Sequence, residues 1–199
     1  MKKVSTEKLL QEGLPTTGQL KNELKRVRYN NSFSGMLRST VGILVTVAAA
    51  AVLIAVLFLP VLQIYGTSMS PTLEEGNIVV SVKGTKFETG DVVAFYYNNK
   101  VLVKRVIANA GQWVDMDQDG YVYVNNVKID EPYIEKHDYG ETNITLPYQV
   151  PDSRIFVMGD NRDVSIDSRN TSVGCVADEQ IVGKIVFRIW PLKLAGWVK

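Results

Sequence analysis

Residues 41–59 read Val41-Gly42-Ile43-Leu44-Val45-Thr46-Val47-Ala48-Ala49-Ala50-Ala51-Val52-Leu53-Ile54-Ala55-Val56-Leu57-Phe58-Leu59, a 19-residue run interrupted only by Gly42 and Thr46. As a helix rising 1.5 Å per residue it covers roughly 28 Å, about the hydrocarbon thickness of a bilayer. It lies within a longer gap, from Arg38 to Glu74, that contains no charged residue. A buried helix of a soluble protein is rarely this long without a polar stripe. A cleavable leader has an apolar core of about 7–15 residues followed by a small-residue cut site, whereas Pro60-Val61-Leu62 follow here. The run predicts a transmembrane anchor over 39–60, dividing the chain into a tail, 1–38, and an outer part, 61–199.

Charge orients the anchor. Residues 1–38 carry eight basic residues (Lys2, Lys3, Lys8, Lys21, Lys25, Arg26, Arg28, Arg38) against Glu7, Glu12 and Glu23, a net +5, so the other 161 residues sum to −4. The positive-inside tendency predicts a cytoplasmic tail and an extracytoplasmic 61–199, with the lipid bilayer as a partner. Residues 5–35 are polar and weakly patterned, a loose juxtamembrane helix at most. Leu192–Lys199 is too short for a second span.

Over all 199 residues, 22 Lys+Arg nearly balance 21 Asp+Glu, which excludes nucleic-acid binding through bulk charge. A single cysteine, Cys175, excludes an internal disulfide framework, and a single histidine, His137, excludes a multi-histidine metal site. No cofactor and no metal are expected.

The outer part reads as β structure. Ile78–Val82, Val92–Tyr97, Val101–Ala108, Tyr121–Val127, Ile155–Met158 and Ile181–Trp190 are rich in β-branched and aromatic residues and separated by Gly, Asn, Asp and Pro. Asn98-Asn99 and Asp119-Gly120 are hairpin tips. Asp115–Gly120 imitates the start of a calcium loop, but its twelfth position is Asn126 and its flanks are strand-like, so a hairpin turn is the better reading.

Three short segments carry chemistry. In Gly66-Thr67-Ser68-Met69-Ser70-Pro71-Thr72-Leu73, Ser68 follows Leu59 by nine residues, within roughly 30 Å of the hydrocarbon by chain reach. In Val101–Ile107, strand alternation sets Leu102, Lys104 and Val106 on one face and Val103, Arg105 and Ile107 on the other. Lys104 thus projects among apolar neighbours, where burial lowers an ammonium pKa. The third is Gly159-Asp160-Asn161-Arg162-Asp163-Val164-Ser165-Ile166-Asp167-Ser168-Arg169. Taken singly each has a plain reading: Ser68 as a turn residue, Lys104 as a snorkelling strand-edge side chain, and the last segment as a charged loop in which Asp160 pairs with Arg162 and Asp167 with Arg169.

Taken together, they resemble the type I signal peptidases, the Ser/Lys-dyad proteases of the bacterial plasma membrane. The family's serine box, roughly S-M-x-P-T-L, matches Ser68–Leu73. Its lysine box matches Lys104-Arg105, and its G-D-N-R-x-x-S-x-D-S-R box matches Gly159–Arg169 without a gap. Val124-Asn125-Asn126, Asp130–Ile134, Val182-Gly183-Lys184 and Trp190-Pro191-Leu192 also look like the family. The resemblance implies an all-β catalytic domain of antiparallel sheets on a single N-terminal transmembrane helix. The implied activity is cleavage of signal peptides from exported preproteins after an A-x-A-like site, beside the protein-export machinery. By motif position Ser68 is the nucleophile and Lys104 the general base, with Ser165 hydrogen-bonding and orienting Lys104. Gly159, Asp160, Arg162, Asp167 and Arg169 support the site. Ile64, Tyr65 and Gly66 correspond to the stretch that pairs with substrate, and Met69, Leu73, Leu102 and Val103 to the walls of its small pockets.

The sequence departs from the family in places. Gly66 stands where some members carry Ser, as is common in Gram-positive enzymes, which removes a side-chain oxyanion donor. A Gly66→Ser change is therefore expected to be tolerated or activating. Ala110-Gly111-Gln112 replaces a common P-G-D turn, and the short 109–150 suggests a reduced accessory region. The alternatives are a peptidase dedicated to a few surface or pilin-like substrates, and a catalytically silent membrane-anchored domain that binds extended peptides by strand addition.

Overall fold

The computed structural model describes Gly13, residues 15–84 and residues 86–198. It divides into one unit ending at Leu53 and another beginning at Ile54. The apolar run belongs to a single helix, α1 (Thr17–Phe58, 42 residues). At 1.5 Å per residue α1 is roughly 63 Å long, about twice a bilayer's hydrocarbon, so the run fills only its C-terminal half.

The polar stretch from Thr17 onward is therefore regular helix, not the loose one expected. A reciprocal cap starts it: the Gln19 N–H donates to Thr16 Oγ1 at 3.4 Å and the Thr16 N–H donates to Gln19 Oε1 at 2.8 Å, satisfying two amides that have no intrahelical partner. Pro60, which can continue no helix, follows its end. Ile43, Leu44, Val52 and Leu53 are each about 60% exposed. A helix apolar on every face and uncovered by protein fits a membrane anchor. Lys2, Lys3, Glu7, Lys8 and Glu12, which enter the charge count, lie outside the described residues, as does the start of the 5–35 stretch.

The second unit is built of antiparallel strands. An eight-stranded sheet contains β1 (Val61–Gln63), β2 (Ile78–Val82), β3 (Val92–Tyr97), β4 (Lys100–Asn109), β9 (Arg154–Met158), β10 (Val176–Ala177), β11 (Ile181–Trp190) and β12 (Gly196–Trp197). Its order is β1-β2-β11-β3-β4-β9-β10, with β12 added to β11. A four-stranded sheet orders β7 (Val127–Lys128), β6 (Val122–Val124), β5 (Trp113–Met116) and β8 (Tyr148–Gln149). The all-β expectation for this part is met, with all pairings among the described residues antiparallel.

β3 explains why the central strands read as unbroken apolar runs. Val92 and Ala94 enter one cluster, with Ile64, Met69, Leu73, Val79, Val182 and Ile185. Val93 and Phe95 enter another, with Val106, Ile155, Val157 and Val176. A strand covered on both faces has no polar side to show. A third cluster joins the sheets, Ile107, Phe156 and Met158 meeting Val114, Met116, Val122 and Val124.

Asn98 and Asn99, at φ 43° and 62°, make the β3–β4 hairpin turn. Asn125 and Asn126, at φ 50° and 65°, do the same between β6 and β7, so the single strand expected over Tyr121–Val127 is two. Both turns use asparagine's tolerance of the left-handed region. The Asp115–Gly120 stretch is a hairpin turn: Asp117 Oδ1 accepts from the N–H of Asp119 and Tyr121 at 3.1 and 2.9 Å.

Candidate active site

Ser68 lies in the turn that leaves edge strand β1. Ser70 N–H donates to Thr67 O at 3.1 Å and Leu73 N–H to Met69 O at 2.9 Å. Met69 and Leu73 pin this turn from below, 2% and 0% exposed, and burial of each side chain contributes roughly 1.5–3 kcal/mol. Ser68 itself is half-buried, with its carbonyl accepting from the Asn161 N–H at 3.1 Å.

Lys104 comes from β4, opposite Val93 of β3 and between Leu102 and Val106 on its own face. It is 3% exposed, and its Nζ lies 2.6 Å from Ser68 Oγ. Burial pushes the ammonium from its usual 10.5 down to about 8; the Asp167 charge opposes this, Arg169 adds to it, and Asp160 opposes it more weakly. At pH 7 about one molecule in ten then carries a free amine, against roughly one in three thousand for an unperturbed lysine. The arrangement can move a proton from a hydroxyl to an amine at its closest contact.

The turn after β9 surrounds this pair. Asp167 is fully buried; its Oδ2 accepts from the Gly159 N–H at 3.0 Å and from Arg169 Nη2 at 2.9 Å, its Oδ1 from Arg169 Nε at 2.9 Å. Burial alone would raise this carboxyl, but Arg169 and the Gly159 amide outweigh it and hold it below the usual carboxylate range. A side chain at Gly159 would collide with Ser165 Oγ and with Ser68 O, so only glycine admits this approach. Ser165 is 1% exposed and its Oγ has no hydrogen-bond partner among the described residues. The expected Ser165–Lys104 hydrogen bond is thus not formed: the hydroxyl packs at Gly159.

Asp167 and Arg169 pair locally, but Asp160 and Arg162 do not pair with each other. Asp160 holds Arg105, and Arg162 holds Glu131. Sequence reasoning missed Arg105 and Glu131 as parts of the site, although both lie inside segments that look like the family. Arg105 also donates to Gly90 O at 2.6 Å and to Thr72 Oγ1 at 3.2 Å, tying the lysine strand to the serine turn.

Among the residues expected to meet substrate, Ile64, Met69, Leu73 and Val103 share one apolar cluster, while Leu102 packs in the other. The main chain of Ile64 is already paired, its N–H with Asn77 O at 2.8 Å and its carbonyl with Gly76 N–H at 2.9 Å. Ile64 therefore does not offer main-chain groups to a substrate. Strand alternation turns those of its neighbour Tyr65, 75% exposed, away from β2. Gly66 has φ +78°, with nothing within 4 Å of where a Cβ would stand. Serine there is strained by its backbone, which overturns the expectation that Gly66→Ser is freely tolerated.

A model of the family described as signal peptidase, peptidase S26, matches residues 37–190. Signal peptidase IB of Staphylococcus aureus (strain COL) is 42% identical over 149 residues, covering 64% of this chain and 76% of the relative. Thylakoidal processing peptidase 1, chloroplastic, of Arabidopsis thaliana is 36% identical over 165 residues, covering 72% and 47%. A crystal structure of a signal peptidase I from Enterococcus faecalis is 28% identical, with TM-score 0.43, covering 50% of this chain and 97% of that one.

Proposed function

The chain belongs to the signal peptidase family, peptidase S26, and on that premise we propose that its serine hydrolase chemistry runs through Ser68 as nucleophile and Lys104 as general base. Signal peptidase I activity implies preproteins with signal peptides as substrates. The observation that carries the dyad reading is the 2.6 Å approach of a buried lysine amine to a turn serine.

In the forward step the neutral Lys104 amine accepts the Ser68 proton as Oγ bonds to the scissile carbonyl carbon. The resulting ammonium gives that proton to the leaving amine as the C–N bond breaks, leaving an acyl-enzyme. Water then attacks the ester, Lys104 taking its proton and returning it to Ser68 Oγ. With glycine at position 66, the developing oxyanion is met by the Ser68 N–H. Gly159, Asp160, Arg162, Asp167 and Arg169 hold the geometry. Ser165 Oγ, with no hydrogen-bond partner among the described residues, accepts from the Lys104 ammonium once a side-chain rotation brings it from Gly159 into reach.

The finer reading is cleavage after A-x-A-like sites. Met69, Leu73 and Val103, with Ile64, back one wall of small pockets, and Leu102 lies across the strand. The membrane anchor is the apolar part of α1, with residues 1–38 in the cytoplasm and 61–199 outside a Gram-positive plasma membrane, near the export machinery. Incubation of the full-length enzyme with an A-x-A preprotein tests this. Wild type releases the mature product and Ser68→Ala does not, while melting like wild type; substantial cleavage by the variant would move the nucleophile elsewhere.

A further inference from the structure

The segment between β7 and β8 has no part in the dyad chemistry, yet two residues of its Glu131-Pro132-Tyr133 triplet reach the two arginines that flank the dyad, Glu131 meeting Arg162 and Tyr133 meeting Arg105. The side chain of Glu131 is fully buried, and it takes Arg162 in a two-pronged grip, Nη2 to Oε1 at 2.5 Å and Nη1 to Oε2 at 3.2 Å. Pro132 follows, and Tyr133 then turns back so that its hydroxyl donates to Glu131 Oε1 at 2.9 Å. The ring of Tyr133 lies under the Arg105 guanidinium, 3.9 Å from its centroid.

Each arginine leads directly to the reacting groups. Arg162 Nε donates to Gly159 O at 3.0 Å, and Gly159 is the residue that leaves no room for a side chain against Ser68 O and Ser165 Oγ. Arg105 follows Lys104 in β4, and grips Asp160 and Thr72. One short turn thus braces the Gly159–Asn161 segment from one side and the lysine strand from the other.

Stability is a poor explanation for this arrangement. Removing two charges from water costs about as much as their attraction returns, so a buried pair adds little net stability. A planar guanidinium held at two points, by contrast, has a fixed direction. Reactions that depend on near-attack geometry can lose about a hundredfold in rate from a displacement of about 1 Å.

We propose that Glu131, steadied by Tyr133, is a positioning residue for signal peptide cleavage: through Arg162 and the Gly159 carbonyl it keeps the Ser68 main chain seated so that Ser68 Oγ and Lys104 Nζ stay within hydrogen-bond reach. The proposal rests on the Ser68/Lys104 reading.

The test uses full-length enzyme in detergent micelles and an A-x-A peptide substrate, with Glu131→Gln, Tyr133→Phe and Lys104→Met compared at matched folded fraction. Glu131→Gln keeps the shape but removes the charge that orients Arg162. Its kcat should fall about tenfold to a hundredfold with KM within about twofold. The pH midpoint of kcat should also rise, because a loosened dyad lets water reach the Lys104 ammonium. Tyr133→Phe keeps the ring under Arg105 and loses only the bond to Glu131, so kcat should fall about twofold to tenfold. Wild-type kcat and an unmoved pH midpoint in Glu131→Gln, with only a lower melting temperature, would overturn the proposal. If that variant does not fold, unchanged kcat in Tyr133→Phe does so. Lys104→Met separates the two readings: activity there removes the dyad and the proposal with it, whereas an inactive Lys104→Met beside a fully active Glu131→Gln removes the proposal alone.

Discussion

Arg105 and Asp160, 55 positions apart in sequence, form a two-pronged ion pair with both side chains out of water: Nε to Oδ1 at 2.8 Å and Nη2 to Oδ2 at 2.7 Å. The pair joins the residue after Lys104 to the residue before Asn161, whose N–H holds the Ser68 carbonyl. It therefore fixes the two halves of the site in one frame.

Breaking that pair on one side leaves a buried charge without a partner. Asp160→Ala and Arg105→Met should each destabilise the folded domain by about 3–5 kcal/mol, and the double variant by less than their sum. Denaturant unfolding of all three measures this. Single variants within about 1 kcal/mol of wild type would show that the pair is hydrated or already relaxed in solution.

The lowered pKa of Lys104 predicts a pH dependence of stability with a definite sign. The folded group titrates near 8 and the unfolded one near 10.5, so between these values the unfolded chain binds more protons and stability rises with pH. Below pH 8 the full cost of the buried ammonium is present, on the order of 3 kcal/mol. Lys104→Met removes that cost. Its stability advantage over wild type should shrink as pH rises from 7.5 to 10, which unfolding at several pH values would read; a constant difference would contradict the shift.

How much of this was legible beforehand depended on what each residue's neighbours were. β3 could be read because its run is apolar on both faces, β11 because it is rich in β-branched and aromatic residues, and the Asn98-Asn99 tip because few residues accept positive φ twice in succession. β1 was missed because Val61-Leu62-Gln63 continues a charge-free stretch and carries no boundary of its own. The regularity of the helix before the apolar run was not legible, although the Thr16/Gln19 cap was, because the polar residues after it show no apolar period. The serine, lysine and glycine-aspartate boxes could be found as motifs. Their connections could not: Arg162 meets Glu131 31 positions away, and Arg105 meets Asp160 across strands whose pairing no local pattern encodes. Local charge pairing was right for Asp167 with Arg169 and wrong for Asp160 with Arg162, because Arg105 and Glu131 are delivered there by the fold.

Gly66 supplies a test of backbone geometry. Its φ of +78° is open to glycine and strained for other residues, by about 1–2 kcal/mol. Because space at the Cβ position is empty, Gly66→Ser and Gly66→Ala should lose this amount equally, and Gly66→Asn less. Thermal or denaturant unfolding checks the order. Equal stability of Gly66→Ser and wild type would mean that the turn relaxes to a negative φ at no cost.

The central claim, that a buried neutral Lys104 takes the proton of Ser68, is tested most directly by the pH dependence of the acylation rate in single turnover on an A-x-A preprotein. Only the free amine is competent, so the rate should climb about tenfold per pH unit from pH 6 and level off above a midpoint near 8. A rate independent of pH between 6 and 10 would contradict the account.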